Sequence, residues 1–185
     1  MCIRDRLVVY KKNALMKIKT SGLPGLLGGF VLSFSFIAFV VAMSNTTVAN
    51  ALFTLSAIPF ITAILAFYFL NENLSIRTII IMIIAFAGIV LMISEGLALG
   101  EFFGNIMALG TALFFSCFAI TLRKFRKLDM LPTLLIAGLM VSWITLIMTY
   151  NFIKIPINEM FLCFIWGGIL SGFVNYIFIY ATRYL

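Results

Sequence analysis

Few side chains in this sequence could do chemistry, and most of them sit in long apolar runs. Asn50 and Thr54 are four positions apart, so on a helix they share one face a turn apart. Pro59 follows on the same run. Ser116, Trp143, Asn175, Tyr176 and Tyr180 occupy later runs, and Glu72 and Arg77 lie at a polar break between two of them. Hydrolysis would need a serine beside a base, paired aspartates, or a metal held by histidines. There is no histidine, and Glu72, Glu95, Glu101, Asp129 and Glu159 all fall in loops or at the ends of apolar runs. The sequence therefore carries no catalytic constellation, no metal site and no cofactor motif. What remains is binding. Amides, hydroxyls and phenols can offer hydrogen bonds to a polar solute, although helix packing uses the same residues.

The elements that hold these residues are membrane helices. Hydrophobic residues make up 64% of the chain and charged residues 10%, against about 45–50% and about 25% in soluble domains. Six apolar runs read as spans: residues 23–43, 47–70, 76–93, 103–122, 130–150 and 160–182. In lipid every backbone group must be paired within the protein, so runs of this length are helices rather than barrel strands. The fold class is all-α, a polytopic transmembrane bundle, with the lipid bilayer as its main partner. Pro59 removes a backbone hydrogen bond in the second span and can bend it. Asn175 lies well inside the sixth span, where an amide needs a partner or a wet cavity.

The net charge of +7 does not indicate nucleic acid, because the basic residues occupy short loops. One alternating set of loops holds Lys11, Lys12, Lys17, Lys19, Arg77, Arg123, Lys124, Arg126, Lys127 and Arg183; the other holds Lys154 alone. Ten against one places the first set in the cytoplasm and supports the count of six spans. Both ends of the sequence are then cytoplasmic, in a multi-pass protein of the cytoplasmic membrane. Cys117 and Cys163 lie within spans and show no pairing or metal pattern.

The opening residues 1–6 fit nothing downstream and read as a non-native leader. Residues 7–10 read as the stub of a span, and residues 11–20 as a basic loop. A shift of 139 positions brings Gly28-Gly29 onto Gly167-Gly168, Phe34 onto Phe173, Phe39 onto Phe178 and Ala42 onto Ala181. The matched spans run in opposite directions and lie five spans apart. That is the pattern of inverted five-helix units, as in secondary transporters. On this reading residues 7–98 end a first unit and residues 99–185 begin a second, so the chain is truncated at both ends.

The ordered set Ala49-Asn50-Ala51, Pro59, Asn71-Glu72 and Gly88 resembles the end of an EamA domain of the drug/metabolite transporter superfamily. Gly104-Asn105-Ile106-Met107-Ala108-Leu109, followed by Arg123-Lys124, resembles the opening helix of a second EamA unit. Asn71 departs from the glycine usual there, while Glu72 is kept. The resemblance implies a ten-helix carrier of two five-helix units. It implies a permease that moves a small metabolite or drug-like solute by alternating access. Asn50, Thr54, Pro59, Ser116, Trp143, Asn175, Tyr176 and Tyr180 are then the cavity candidates. Glu72 is expected to support structure or gating, either by capping the following helix or by pairing with Arg77. No carboxylate lies within a span, which favours exchange or facilitated diffusion over proton coupling. Two other readings stand beside this one: a non-transporting membrane scaffold or subunit, and a truncated product without activity. A homodimer is compatible with all three.

Overall fold

A computed structural model describes residues 14–72, 75–98, 102–126, 128–149, 161–162 and 164–182. The leader at 1–6, the stub at 7–10 and the charges at Lys11, Lys12, Lys127, Lys154 and Arg183 lie outside the described residues, as do Glu101, Glu159 and Cys163. The described chain is helical throughout: α1 Ala14–Asn45, α2 Val48–Leu55, α3 Ile58–Leu70, α4 Ile76–Ala98, α5 Phe102–Lys124 and α6 Pro132–Thr149. A π-helical stretch, Phe164–Leu170, then runs into α7, Ser171–Thr182. Gly22–Asn45, Val48–Leu70, Phe102–Lys124 and Phe164–Thr182 are long and apolar enough to cross a membrane. The described apolar stretches Ile76–Gly88 and Pro132–Met148 are shorter. Each span expected from the sequence thus has its helix.

Residues 14–20 are helical rather than a loop. Ala, Leu, Met and Lys are good helix formers, so the basic charges there do not oppose helix formation. The break comes at Gly22, with φ 57° and ψ −155°, a conformation that only glycine adopts without strain. Pro24 follows two residues later, where its missing N–H belongs to a first turn.

The chain divides into two units. One is Val31–Lys124, and it is organised around α5. The buried face of α5 carries a row of small residues, Gly104, Ala108, Ala112, Ser116 and Ala119, and ends in the larger Phe118, Ile120 and Leu122. Small side chains let helices approach closely in lipid, where dispersion and interhelical hydrogen bonds replace the hydrophobic drive. Ala42, Ala51, Thr54 and Ala66 of the surrounding helices are likewise buried. Ser35 Oγ donates to the Thr111 carbonyl at 3.2 Å, and Thr46 Oγ1 donates to Asn105 Oδ1 at 2.9 Å. The second half of α1 is therefore antiparallel to α5. Ser116 Oγ donates to the Ile58 carbonyl at 3.1 Å, and Arg123 pairs with Glu72 at 3.3 Å. The α2–α3 span is therefore parallel to α5. The outer faces are greasy: Val40, Phe53, Tyr68, Ile83, Ile84 and Leu91 are exposed, as lipid-facing residues are.

The second unit comprises the described residues of Met1–Phe30 and Phe125–Leu185. Asp129 Oδ1 accepts from the Leu131 N–H at 3.3 Å in the turn that opens α6, and Pro132 starts the helix. Gly29 lies against this start: a Cβ there would fall 2.6 Å from Ile136 Cγ2 and 3.2 Å from the Thr133 carbonyl oxygen. Gly167 and Gly168 lie in the π-helical stretch, with open space around Gly167. The two glycine pairs matched by the sequence shift thus have different local geometry.

Candidate functional site

The second span is not one helix. α2 ends at Leu55, Ser56 and Ala57 form a turn, and α3 restarts at Ile58. The sequence placed the disturbance at Pro59; the break falls just before it, for a backbone reason. Pro59 has no N–H to give to the carbonyl four residues earlier, at Leu55, so α2 must stop there. The chain tightens instead. The Ser56 N–H donates to the Leu52 and Phe53 carbonyls, Ala57 N–H to Thr54, and both Phe60 and Ile61 N–H to Ala57. Pro59 then sits in the first turn of α3, where proline is tolerated. Ser56 and Ala57 keep right-handed helical φ/ψ, so the span is kinked and tightened at the proline rather than unwound.

The candidate residues of this unit fall at graded distances from the break. Thr54 is buried in the last turn of α2, and its Oγ1 donates back to the Asn50 carbonyl at 2.9 Å. Such a bond tends to bend a helix. Asn50, a turn earlier, is half-buried, and its N–H donates to Oγ1 of Thr47, the residue that caps α2. Pro59 is exposed. Ser116 is fully buried and braces the start of α3 through the Ile58 carbonyl. Thr54, Pro59 and Ser116 are therefore gathered at the break, with Asn50 one turn away.

Glu72 and Arg77 behave differently from the expectation. Ser75 caps α4: its Oγ accepts the Thr78 N–H at 3.2 Å. Ser75 occupies the position just before the helix, where a short hydroxyl reaches the third N–H, whereas Glu72 precedes it by three residues. Glu72 instead reaches Arg123 at the end of α5, not Arg77 in its own connection. Asn71 holds the left-handed conformation, φ 54°, that closes α3 and turns Glu72 toward α5. Asparagine is the non-glycine side chain that tolerates this conformation best.

The remaining candidates belong to the other unit. Trp143 lies exposed on α6. Asn175 is half-buried on α7, and its Nδ2 donates to the Ser171 carbonyl at 2.9 Å, so its amide is satisfied within its own helix. The rings of Tyr176 and Tyr180 are stacked, with centroids 6.4 Å apart and planes 15° apart. Ser171 Oγ donates to the Trp166 carbonyl, five residues back, where the helix is widened.

Sequence reasoning missed Ser35, Thr46, Asn105, Thr111 and Arg123 as polar ties. A signal existed for Asn105: an amide at the start of a span needs a partner, the same argument applied to Asn175. Arg123 could be read from the alternation of loops, which puts it at the same end as Glu72.

Residues 7–94 match the model of the EamA-like transporter family. Neither a curated protein nor a solved structure matches the chain. With its apolar helices, the chain is a multi-pass membrane protein of transporter type. The family is one of carriers rather than enzymes, in keeping with the lack of a catalytic constellation in the sequence.

Proposed function

We propose that this chain is part of a permease that moves a small metabolite or drug-like solute across the cytoplasmic membrane by alternating access. The observation that carries the reading is the interrupted span, α2 and α3 meeting at Ser56–Ala57, within a segment of a transporter family. Asn50, Thr54 and Pro59 are the contacts we assign to the solute path in this unit, with Ser116 bracing the break. Trp143, Asn175, Tyr176 and Tyr180 are the assignments in the other unit. In this reading residues 7–98 and 99–185 are parts of two inverted five-helix repeats that rock to alternate access, and the loops rich in Lys and Arg face the cytoplasm. No carboxylate lies within a span of this segment, which favours solute exchange or the solute's own gradient over proton coupling.

The test is uptake into proteoliposomes that contain the protein encoded by the complete reading frame. The panel comprises amino acids, amines, sugar phosphates and drug-like cations. Uptake of at least one class above protein-free liposomes, reduced in Pro59→Ala, is the expected result. Absence of uptake across the panel would overturn the reading and favour a non-transporting membrane subunit.

A further inference from the structure

Among the described residues, polar ties join α5 to the helices before it at four places, and they are not alike. Ser35 with Thr111 and Ser116 with Ile58 are interior bonds whose serines are buried. Thr46 with Asn105 closes one end of the unit. There Asn105 is 2% exposed, and Gly104 lies so close to the Asn45 carbonyl that no Cβ fits. Glu72 with Arg123 closes the opposite end, and it alone is an ion pair with both side chains in contact with solvent, 44% and 39% exposed. One end is packed backbone to backbone around a buried amide. The other is held by charges that water can solvate separately, and such a pair is weak and reversible.

From this asymmetry we infer that Glu72–Arg123 is a latch: it holds the family-matched segment against α5 at the cationic end and opens while the opposite end stays closed. The inference rests on the transporter reading, in which one side of the protein must open without the other. Three features place the latch. Asn71 fixes the direction of Glu72 through its left-handed backbone. The Glu72 N–H is tied to the Ala66 carbonyl at 3.4 Å, so the carboxylate is anchored to the last turns of α3. Arg123 lies in the last turn of α5, next to Lys124, so release of Glu72 leaves two adjacent cations without its charge. Ala66, 2% exposed, lies just inside the latch, and Ala42, fully buried, lies near the opposite end.

The experiment uses the complete protein in proteoliposomes of both orientations. It compares Ala66→Cys and Ala42→Cys for their rate of labelling by a membrane-impermeant charged maleimide, with labelling of the native cysteines subtracted. Glu72→Arg or Arg123→Glu should speed labelling at position 66 by about two- to fivefold, the range of an exposed pair, and leave position 42 unchanged. The double exchange, Glu72→Arg with Arg123→Glu, should restore the slow rate. Glu72→Gln is a milder variant should a reversal fail to fold, and it should give a smaller increase at position 66 alone. An unchanged rate at position 66, an equal rise at position 42, or a double exchange as fast as the singles would each overturn the latch. Labelling needs no solute, so a failed uptake panel and a failed latch are separate results.

Discussion

Gly104 meets the backbone of Asn45 without room for a side chain: a Cβ on Gly104 would lie 2.5 Å from both the carbonyl carbon and the carbonyl oxygen of Asn45. Backbone cannot move aside as a flexible side chain can. Gly104→Ala should therefore push α1 off the start of α5, at a cost of about 1–3 kcal/mol. Gly110, one and a half turns along, faces open space, and Gly110→Ala should stay within about 1 kcal/mol of the parent. Unfolding in mixed micelles titrated with dodecyl sulfate would measure both.

Thr46 and Asn105 form a pair whose parts are unequal. Asn105 Oδ1 accepts from Thr46, while its buried Nδ2 has no hydrogen-bond partner among the described residues. Thr46→Val alone should strip the amide of its remaining bond and cost about 1–3 kcal/mol. The double variant Thr46→Val with Asn105→Leu removes both polar groups and should recover most of that loss. The same titration, run as a double-mutant cycle, would give the coupling.

Gly29 offers a different neighbour, the side chain of Ile136, with the Thr133 carbonyl behind it. Gly29→Ala should destabilise by about 1–3 kcal/mol. Ile136→Ala removes the closest atom, so the double variant should lose less than the sum of the singles. A coupling of at least about 0.5 kcal/mol is expected from residues in such contact. Strict additivity would show that these two residues do not touch in the membrane.

Asn71 carries the only positive φ of a non-glycine residue among the described residues. Asn71→Val should cost about 1–2 kcal/mol, because a β-branched side chain is strained in the left-handed region. Asn71→Gly should be nearly neutral in stability. The glycine is more mobile, however, and electron paramagnetic resonance of a label at Glu72 should report a broader range of positions.

Much of this was legible in the sequence because lipid imposes a strong length rule. Apolar runs of the right length must be helices, so six helices could be read with their order and, from the cations, their alternation. The α1–α5 and α3–α5 ties reproduce that alternation inside one unit, since Glu72 and Arg123 share one end and Thr46 and Asn105 the other. The hydrogen bond lost at Pro59 was legible, but not that the backbone tightens at Ser56–Ala57, because proline disturbs the turn upstream of itself. The role of Glu72 was half visible: its charge predicted an ion pair, but the partner lies fifty-one positions away (72 to 123) on a helix whose packing no local pattern reveals. Thr46, Ser35 and Thr111 look like any small polar residues of a span. Only the register of α1 against α5 turns them into ties.

The parallel course of the α2–α3 span and α5 constrains how the chain can be rebuilt. Between Glu72 and Arg123 the polypeptide runs away from the paired end in α4 and comes back to it in α5. An insertion that adds one further crossing to this stretch would strand carboxylate and guanidinium on opposite sides of the lipid. Duplications of whole hairpins would not. The stretch can therefore lengthen only by even numbers of crossings.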